Sequence, residues 1–324
     1  MIPFASFWSW LLYALPGLLL GFGFGTSAAH VRFVRDPEAV FAERRGALQA
    51  ERLERSERVG DDLHEAFTLH SSSGLDVRVS VLRPAVVRGE NALAAVVLLG
   101  GLRTGRQAVE LLPDSGGAFV VALDYPLDNP KETKGLALLP ALPRVQRAIR
   151  DTPSALLLTV DWLAQRAEVD PERIELVGVS LGSFFTPVAG ALDERVHRVW
   201  SMHGGGRVER LLEESLRERV PIDAVRGWTV RLAMVLGHGE LMAPERWVHR
   251  IAPRRFVQVN GREDERIPRD SIQALFESAR EPKEMVWLPG MHVEPDRESI
   301  VRALVSLVLE RIRADEGSGP GAAR

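Results

Sequence analysis

Residues 177–183 read Val-Gly-Val-Ser-Leu-Gly-Ser, with Ser180 framed by Gly178 and Gly182. A serine in Gly-x-Ser-x-Gly is either a nucleophile on a sharp strand-to-helix turn or a serine that merely turns the chain. Its hydroxyl is nearly unreactive at neutral pH, so nucleophilic work requires a base within hydrogen-bond reach, and an imidazole is suited to that task. The chain has 8 histidines and no cysteine, which leaves oxygen or nitrogen groups for any covalent chemistry. It has no His-Glu-x-x-His spacing, so no metal is expected, and no cofactor is expected either.

For Ser180 to be presented as a nucleophile, a strand must precede it and a helix must follow. "RIELVGV" reads as that strand and "LGSFFTPVAGAL" as that helix. Around them, strand and helix patterns alternate. "ALAAVVLLGG" and "GAFVVALDYP" are continuous apolar runs, as for strands buried on both faces of a parallel sheet. Further strands are predicted at 196–202, 254–260 and 284–288, with helices at 153–168, 269–280 and 296–313. "EAFTLHSSSGLDVRVSVLRP" reads as a hairpin ending at Pro84. The fold class is therefore α/β, a mostly parallel central sheet flanked by helices. Residues 127–150, with several prolines, and the helical stretch 207–250 interrupt this rhythm, and insertions there would sit as a cap over the site.

Three segments in order, "VGVSLGS", "NGREDERIP" and "LPGMHVE", make residues 64–313 resemble the α/β-hydrolase family. The resemblance implies a triad of Ser180, Asp264 and His292, with Gly261, Ile267 and Pro268 setting the register of the acid. His292 would be the base, and Asp264 would orient its ring and stabilise the imidazolium. The backbone N–H groups of Leu181 and Leu102, with Gly101 next, would form the oxyanion hole, although Gly100 stands where many members have histidine. Glu263 is the substitute acid and Glu209 a remoter one. His203 and His238 are rival bases that precede Asp264 and fit the family's order badly. Arg103 and Arg106, beside the oxyanion loop, could attract an anionic substrate, although exposed arginines at a helix start are usually solvent charges. The implied function is a carboxylesterase-like serine hydrolase acting on a small acyl substrate. The alternatives are a peptidase or thioesterase on the same fold, or a non-catalytic scaffold.

The rest of the chain bounds its surroundings. With 41 basic against 44 acidic side chains among 324 residues, the net charge of -3 gives no basic excess for nucleic acid. Residues 2–29 carry no charge and are long enough to cross a bilayer as a helix, with Arg32, Arg35, Arg44 and Arg45 following. The expected arrangement is a membrane anchor over 1–30 with a cytoplasmic catalytic domain; the alternative is export after cleavage near Ala29. A helix start at Asp36-Pro37 opens an Arg/Glu-rich run to residue 63, read as a charged stalk helix. The polar, Gly-rich residues 314–324 read as a disordered tail.

Overall fold

The computed structural model describes residues 31–33, 35–86, 92–101, 104–127 and 138–317. The predicted anchor over 1–30 lies outside them, and no described helix is long and apolar enough to cross a membrane. The chain divides into two compact units, residues 1–40 and 41–324. In the first, Asp36 caps the predicted helix start, its Oδ1 accepting the Ala39 N–H at 3.0 Å. That helix is α1, Pro37–Arg45, whose residues 41–45 belong to the second unit.

The second unit is built on one nine-stranded sheet. Its strands are β1 (Leu48–Val59), β2 (Asp62–Ser71), β3 (Asp76–Pro84), β4 (Leu93–Leu99), β5 (Phe119–Leu123), β6 (Val169–Val179), β7 (Val196–Met202), β8 (Arg255–Gly261) and β9 (Lys283–Leu288). They lie in the order β1-β2-β3-β5-β4-β6-β7-β8-β9. The first three pairings, through β3–β5, are antiparallel, and the six strands from β5 to β9 are parallel. The helices are α2 (Leu138–Leu163), α3 (Thr186–Leu192), α4 (Val208–Leu216), α5 (Asp223–Leu236), α6 (Arg269–Ser278) and α7 (Glu298–Gly317).

Side chains alternate across each strand, so the parallel register sorts the apolar runs onto two faces. Val97, Val121, Leu176 and Val199 are aligned across four strands on one face. This face is covered by α2, whose Trp162 packs edge-on against Phe119, and by α3, where Gly190 lies close to Val199. The other face, with Val96, Val120, Val177 and Trp200, buries a cluster with Leu304, Val308 and Ile312 of α7. Both faces being covered explains why the central strands read as unbroken apolar runs rather than as alternation.

Three expectations are corrected. The charged stalk is not one helix: α1 stops at Arg45, and Leu48–Val59 forms the edge strand β1. Its Glu/Arg run has no apolar period of either kind, so pairing partners decide its state. Thr68 of β2 donates to Glu54 at 2.6 Å, and a charged edge also resists pairing with another chain. Of the interruption predicted over 127–150, residues 138–150 are the first half of α2, which runs through Pro143 and Pro153, and 128–137 lie outside the described residues. Proline usually ends or kinks a helix, which is why the sequence suggested a break. Residues 314–317, read as the start of a disordered tail, instead end α7, which continues to Gly317 and whose Asp315 pairs with the buried Arg198; residues 318–324 lie outside the described residues.

The elbow after β6 depends on a close backbone approach. A Cβ on Gly182 would collide with the carbonyl oxygen of Leu99, which is backbone and cannot swing aside. Gly182→Ala is therefore expected to cost about 1–3 kcal/mol by overpacking, lowering Tm by roughly 5 °C. Gly227→Ala, in α5 with nothing within 4 Å of the added methyl, should be neutral or stabilising by about 0.5–1 kcal/mol. Thermal denaturation of both variants checks the contrast.

Candidate active site

Ser180 follows the last residue of β6 and begins the 3-10 turn Ser180–Phe184 that leads into α3. Its φ of +54° lies in the left-handed region, a conformation that costs a serine energy and turns its side chain away from the sheet. The tight turn is permitted by the flanking glycines: a Cβ on Gly178 would meet Thr186 and the backbone of Gly182. The serine is half-buried and borders a cavity that also includes Gly101 and Leu181.

Two later loops bring their residues to this point. Ser180 Oγ lies 2.9 Å from His292 Nε2. On the other side of the ring, His292 Nδ1 lies 3.0 Å from Asp264 Oδ2 and 3.1 Å from Oδ1. A neutral imidazole can donate from only one nitrogen, so the carboxylate assigns the proton to Nδ1 and leaves Nε2 to accept from the serine. His292 follows β9 and Asp264 follows β8, so all three residues stand beyond the carboxyl ends of parallel strands.

The three consecutive acids 263–265 divide the support of the histidine loop. Glu263 Oε2 accepts the Gly290 N–H at 2.6 Å, and Glu265 Oε2 accepts the His292 N–H at 2.8 Å. Asp264 between them takes the imidazole. The substitute acid Glu263 is thus occupied with the backbone beside His292, while Glu209 stands exposed on α4.

His203, a rival base in the sequence, is instead a second donor to the acid. It lies past the end of β7, fully buried at φ +51°, with Nδ1 2.8 Å from Asp264 Oδ2. Its ring meets His292 edge-on at 5.3 Å between centroids. Nothing in the local sequence "SMHGGG" marks this role except a polar residue at the end of an apolar strand. His238 lies beyond α5, within the insertion, and is also buried.

Burial opposes a charge on Asp264. Hydrogen bonds from His203 and His292, the charge of His292 when protonated, and the Arg266 N–H outweigh that cost and hold the carboxyl well below the usual carboxylate range. The backbone N–H groups of Arg266 and Ile267 reach Oδ1 at 2.9 and 3.0 Å. The ligand atoms of His203, Asp264 and His292 also lie within 4.8 Å of one another, a set that could hold a metal ion. An ion between them would take the His292 nitrogen that now faces Asp264, so the two uses exclude each other.

Of the expected oxyanion donors, Leu181 is the residue after the serine, whereas Leu102 lies outside the described residues, as does Arg103. Arg106 is engaged with Glu54 at 3.2 Å and Asp124 at 3.5 Å, so of its two readings the attraction of a substrate anion is the one disfavoured. Residues 207–250 do form helices α4 and α5, but among the described residues none of them lines the cavity at Ser180.

This arrangement of strands, elbow and loops is the α/β-hydrolase fold. No family model matches the chain. Two proteins of Salmonella, both described as uncharacterized protein YfhR, one from Salmonella typhi and one from Salmonella typhimurium, are each 25% identical over 241 residues, covering 71% of this chain and 75% of theirs. Among solved structures, an acetyl xylan esterase from Paenibacillus sp. R4 is similar with a TM-score of 0.61 at 15% identity, over 84% of this chain and 92% of that one. Acetyl xylan esterase 1 from a Thermoanaerobacterium species gives 0.59 at 15% identity, over 85% and 93%. The α/β hydrolase GrgF from Penicillium sp. sh18 gives 0.50 at 19% identity, over 78% and 99%. At these identities the likeness is one of fold.

The lowered pKa of Asp264 makes a prediction about stability. A carboxyl whose native pKa is depressed contributes stability that is full above its unfolded value, about 3.9, and lost as pH falls through the native value. Asp264→Asn should therefore cost about 1–3 kcal/mol at pH 7, the worth of hydrogen bonds to a charged group. The gap from wild type should narrow below about pH 4. Denaturation of both proteins at neutral and acid pH measures it.

Proposed function

We propose that the protein is a serine hydrolase that cleaves an ester, carboxylesterase-like, through an acyl-enzyme on Ser180. The observation that carries this reading is the hydrogen-bonded chain from Ser180 Oγ through His292 to Asp264, at 2.9 and 3.0 Å. As Oγ attacks the acyl carbon, His292 Nε2 takes the hydroxyl proton, and it returns that proton to the departing alcohol when the carbon–oxygen bond breaks. The same nitrogen then removes a proton from water as it attacks the acyl carbon, and returns that proton to Ser180 Oγ as the acyl carbon–Oγ bond breaks, releasing the carboxylic acid and the free serine. Asp264 remains ionised throughout and stabilises the imidazolium.

The backbone N–H groups of Leu181 and Leu102 are the proposed oxyanion donors. A residue directly after the nucleophile on a strained elbow is suited to that role, because its N–H is fixed before charge develops. The esterases that share this fold support an ester substrate over an amide. The proposed location, anchored at a membrane with the catalytic unit cytoplasmic, is supported by the uncharged residues 2–29 and the arginines that follow. Sequencing of the mature N-terminus tests it, since a start at His30 would mean an exported enzyme.

The reaction is tested with p-nitrophenyl acetate. Ser180→Ala should abolish turnover while its circular dichroism stays that of the wild type; retained turnover would move the nucleophile elsewhere. Asp264→Asn should lower kcat by about 10⁴-fold through loss of the productive tautomer. Glu263→Gln, which alters only a brace to Gly290, should cost far less. His203→Phe removes one hydrogen bond to the charged acid, for which roughly 10- to 100-fold in kcat is expected. A reversed ranking of the 263 and 264 variants would overturn the assignment of the acid.

A further inference from the structure

The cavity at Ser180 extends beyond a pocket for an acetyl group. It has a volume of about 410 Å³ and reaches inward from the serine into the layer between the sheet and α7. Its sheet wall includes Val96, Val120 and Val177, and its helical wall includes Leu304 and Val308. Ala108, in the 3-10 helix Gly105–Leu111, closes another side. From Ser180 back to Val177 the strand recedes by about 10 Å, and the lining turns of α7 from Val301 to Leu309 extend about 12 Å.

Polarity is confined to one end. Thr104, Ser180, Arg266 and Glu294 are the polar residues of the lining, and Arg266 is paired with Glu294. Every other side chain of the wall is aliphatic, a methionine or a proline. Protein cores are packed nearly as densely as organic crystals, and few of their voids exceed the size of a water molecule. A space this large, apolar in depth and continuous with a hydrogen-bonded serine, has the form of a binding site, with its few polar groups where a reacting carbonyl would sit.

We propose that this cavity receives the acyl chain of the substrate, and that the substrate is an ester of a medium- to long-chain fatty acid. The chain would lie between the sheet and α7 with its carboxyl carbon at Ser180 Oγ, an inference that rests on the hydrolase reading above. An apolar cavity of about 150 Å³ holds a six-carbon ring, so this one accommodates an acyl chain of roughly eight to fourteen carbons. Selectivity for chain length is then set by α7 and the 3-10 helix, not by the helical insertion over 207–250, where the sequence had suggested a cap.

Two measurements test the proposal. The first is the ratio of kcat/KM for p-nitrophenyl decanoate to that for the acetate, at ester concentrations below aggregation. Burial of each methylene can raise kcat/KM by up to about fourfold, so a wild-type ratio well above tenfold is expected. The variants Ala108→Phe and Val305→Phe, which place a ring in the cavity from two different walls, should bring the ratio to near unity. Each is checked for folding by thermal denaturation, and either one folded suffices. The second is calorimetric titration of Ser180→Ala with laurate, which needs no turnover; binding should be seen, and should be lost when Ala108→Phe is added.

The outcomes separate the two claims. Acetate turnover with a ratio near unity and no laurate binding would overturn the acyl site and leave the hydrolase standing. Laurate binding that Ala108→Phe abolishes, with no ester turned over, would support the site and overturn the hydrolase. Neither turnover nor binding would overturn both.

Discussion

A carboxylate has room for about four hydrogen bonds, and Asp264 is surrounded by four donors. Arg266 and Ile267 supply backbone N–H groups to Oδ1, and His203 and His292 direct Nδ1 at Oδ2. Those donors come from the turn after β8, from the end of β7 and from the loop after β9. One buried charge thereby fixes three segments that the sheet leaves free at its edge, and removal of any donor leaves part of a desolvated charge unpaired. The tautomer of His292 follows from it, and with the tautomer the ability of Nε2 to accept from Ser180.

The support continues outward through the neighbouring acids. Successive side chains in a turn diverge, so Glu263 and Glu265 cannot join Asp264 at the imidazole. They hold the backbone on either side of it, at Gly290 and at His292 itself. Arg297 in turn reaches Glu265 at 3.0 Å. The short run "GREDERIP" thus acts as one unit, with its central acid aimed at the ring and its outer two at the loop that carries the ring. At the opposite side of the site, the approach of Gly182 to Leu99 sets the height of the serine above the sheet.

Much of this was legible in the sequence because the parallel strands are buried on both faces and end at Gly, Pro or polar residues. The strand over 196–202 matches β7, and those at 254–260 and 284–288 fall within a residue of β8 and β9. That the side chains of Ser180, Asp264 and His292 would meet was legible from their order and from the elements before them. His203 was not, because its link to Asp264 spans 61 positions and depends on neighbouring strands that only the sheet order brings together. The edge strand β1 was hidden by a charge pattern without apolar period, and the first half of α2 by its prolines. The cavity under α7 also has no sequence signature, since its wall residues read as ordinary core.

The central claim is that Ser180 alone is activated, by an imidazole whose other nitrogen is held by Asp264. A fluorophosphonate reacts with an activated serine without any need to know the substrate, so peptide mapping by mass spectrometry after labelling is the most direct measurement. The account predicts a single adduct on Ser180, absent from protein denatured before exposure to the probe. An adduct on another serine of the folded protein, or none at all, would contradict it.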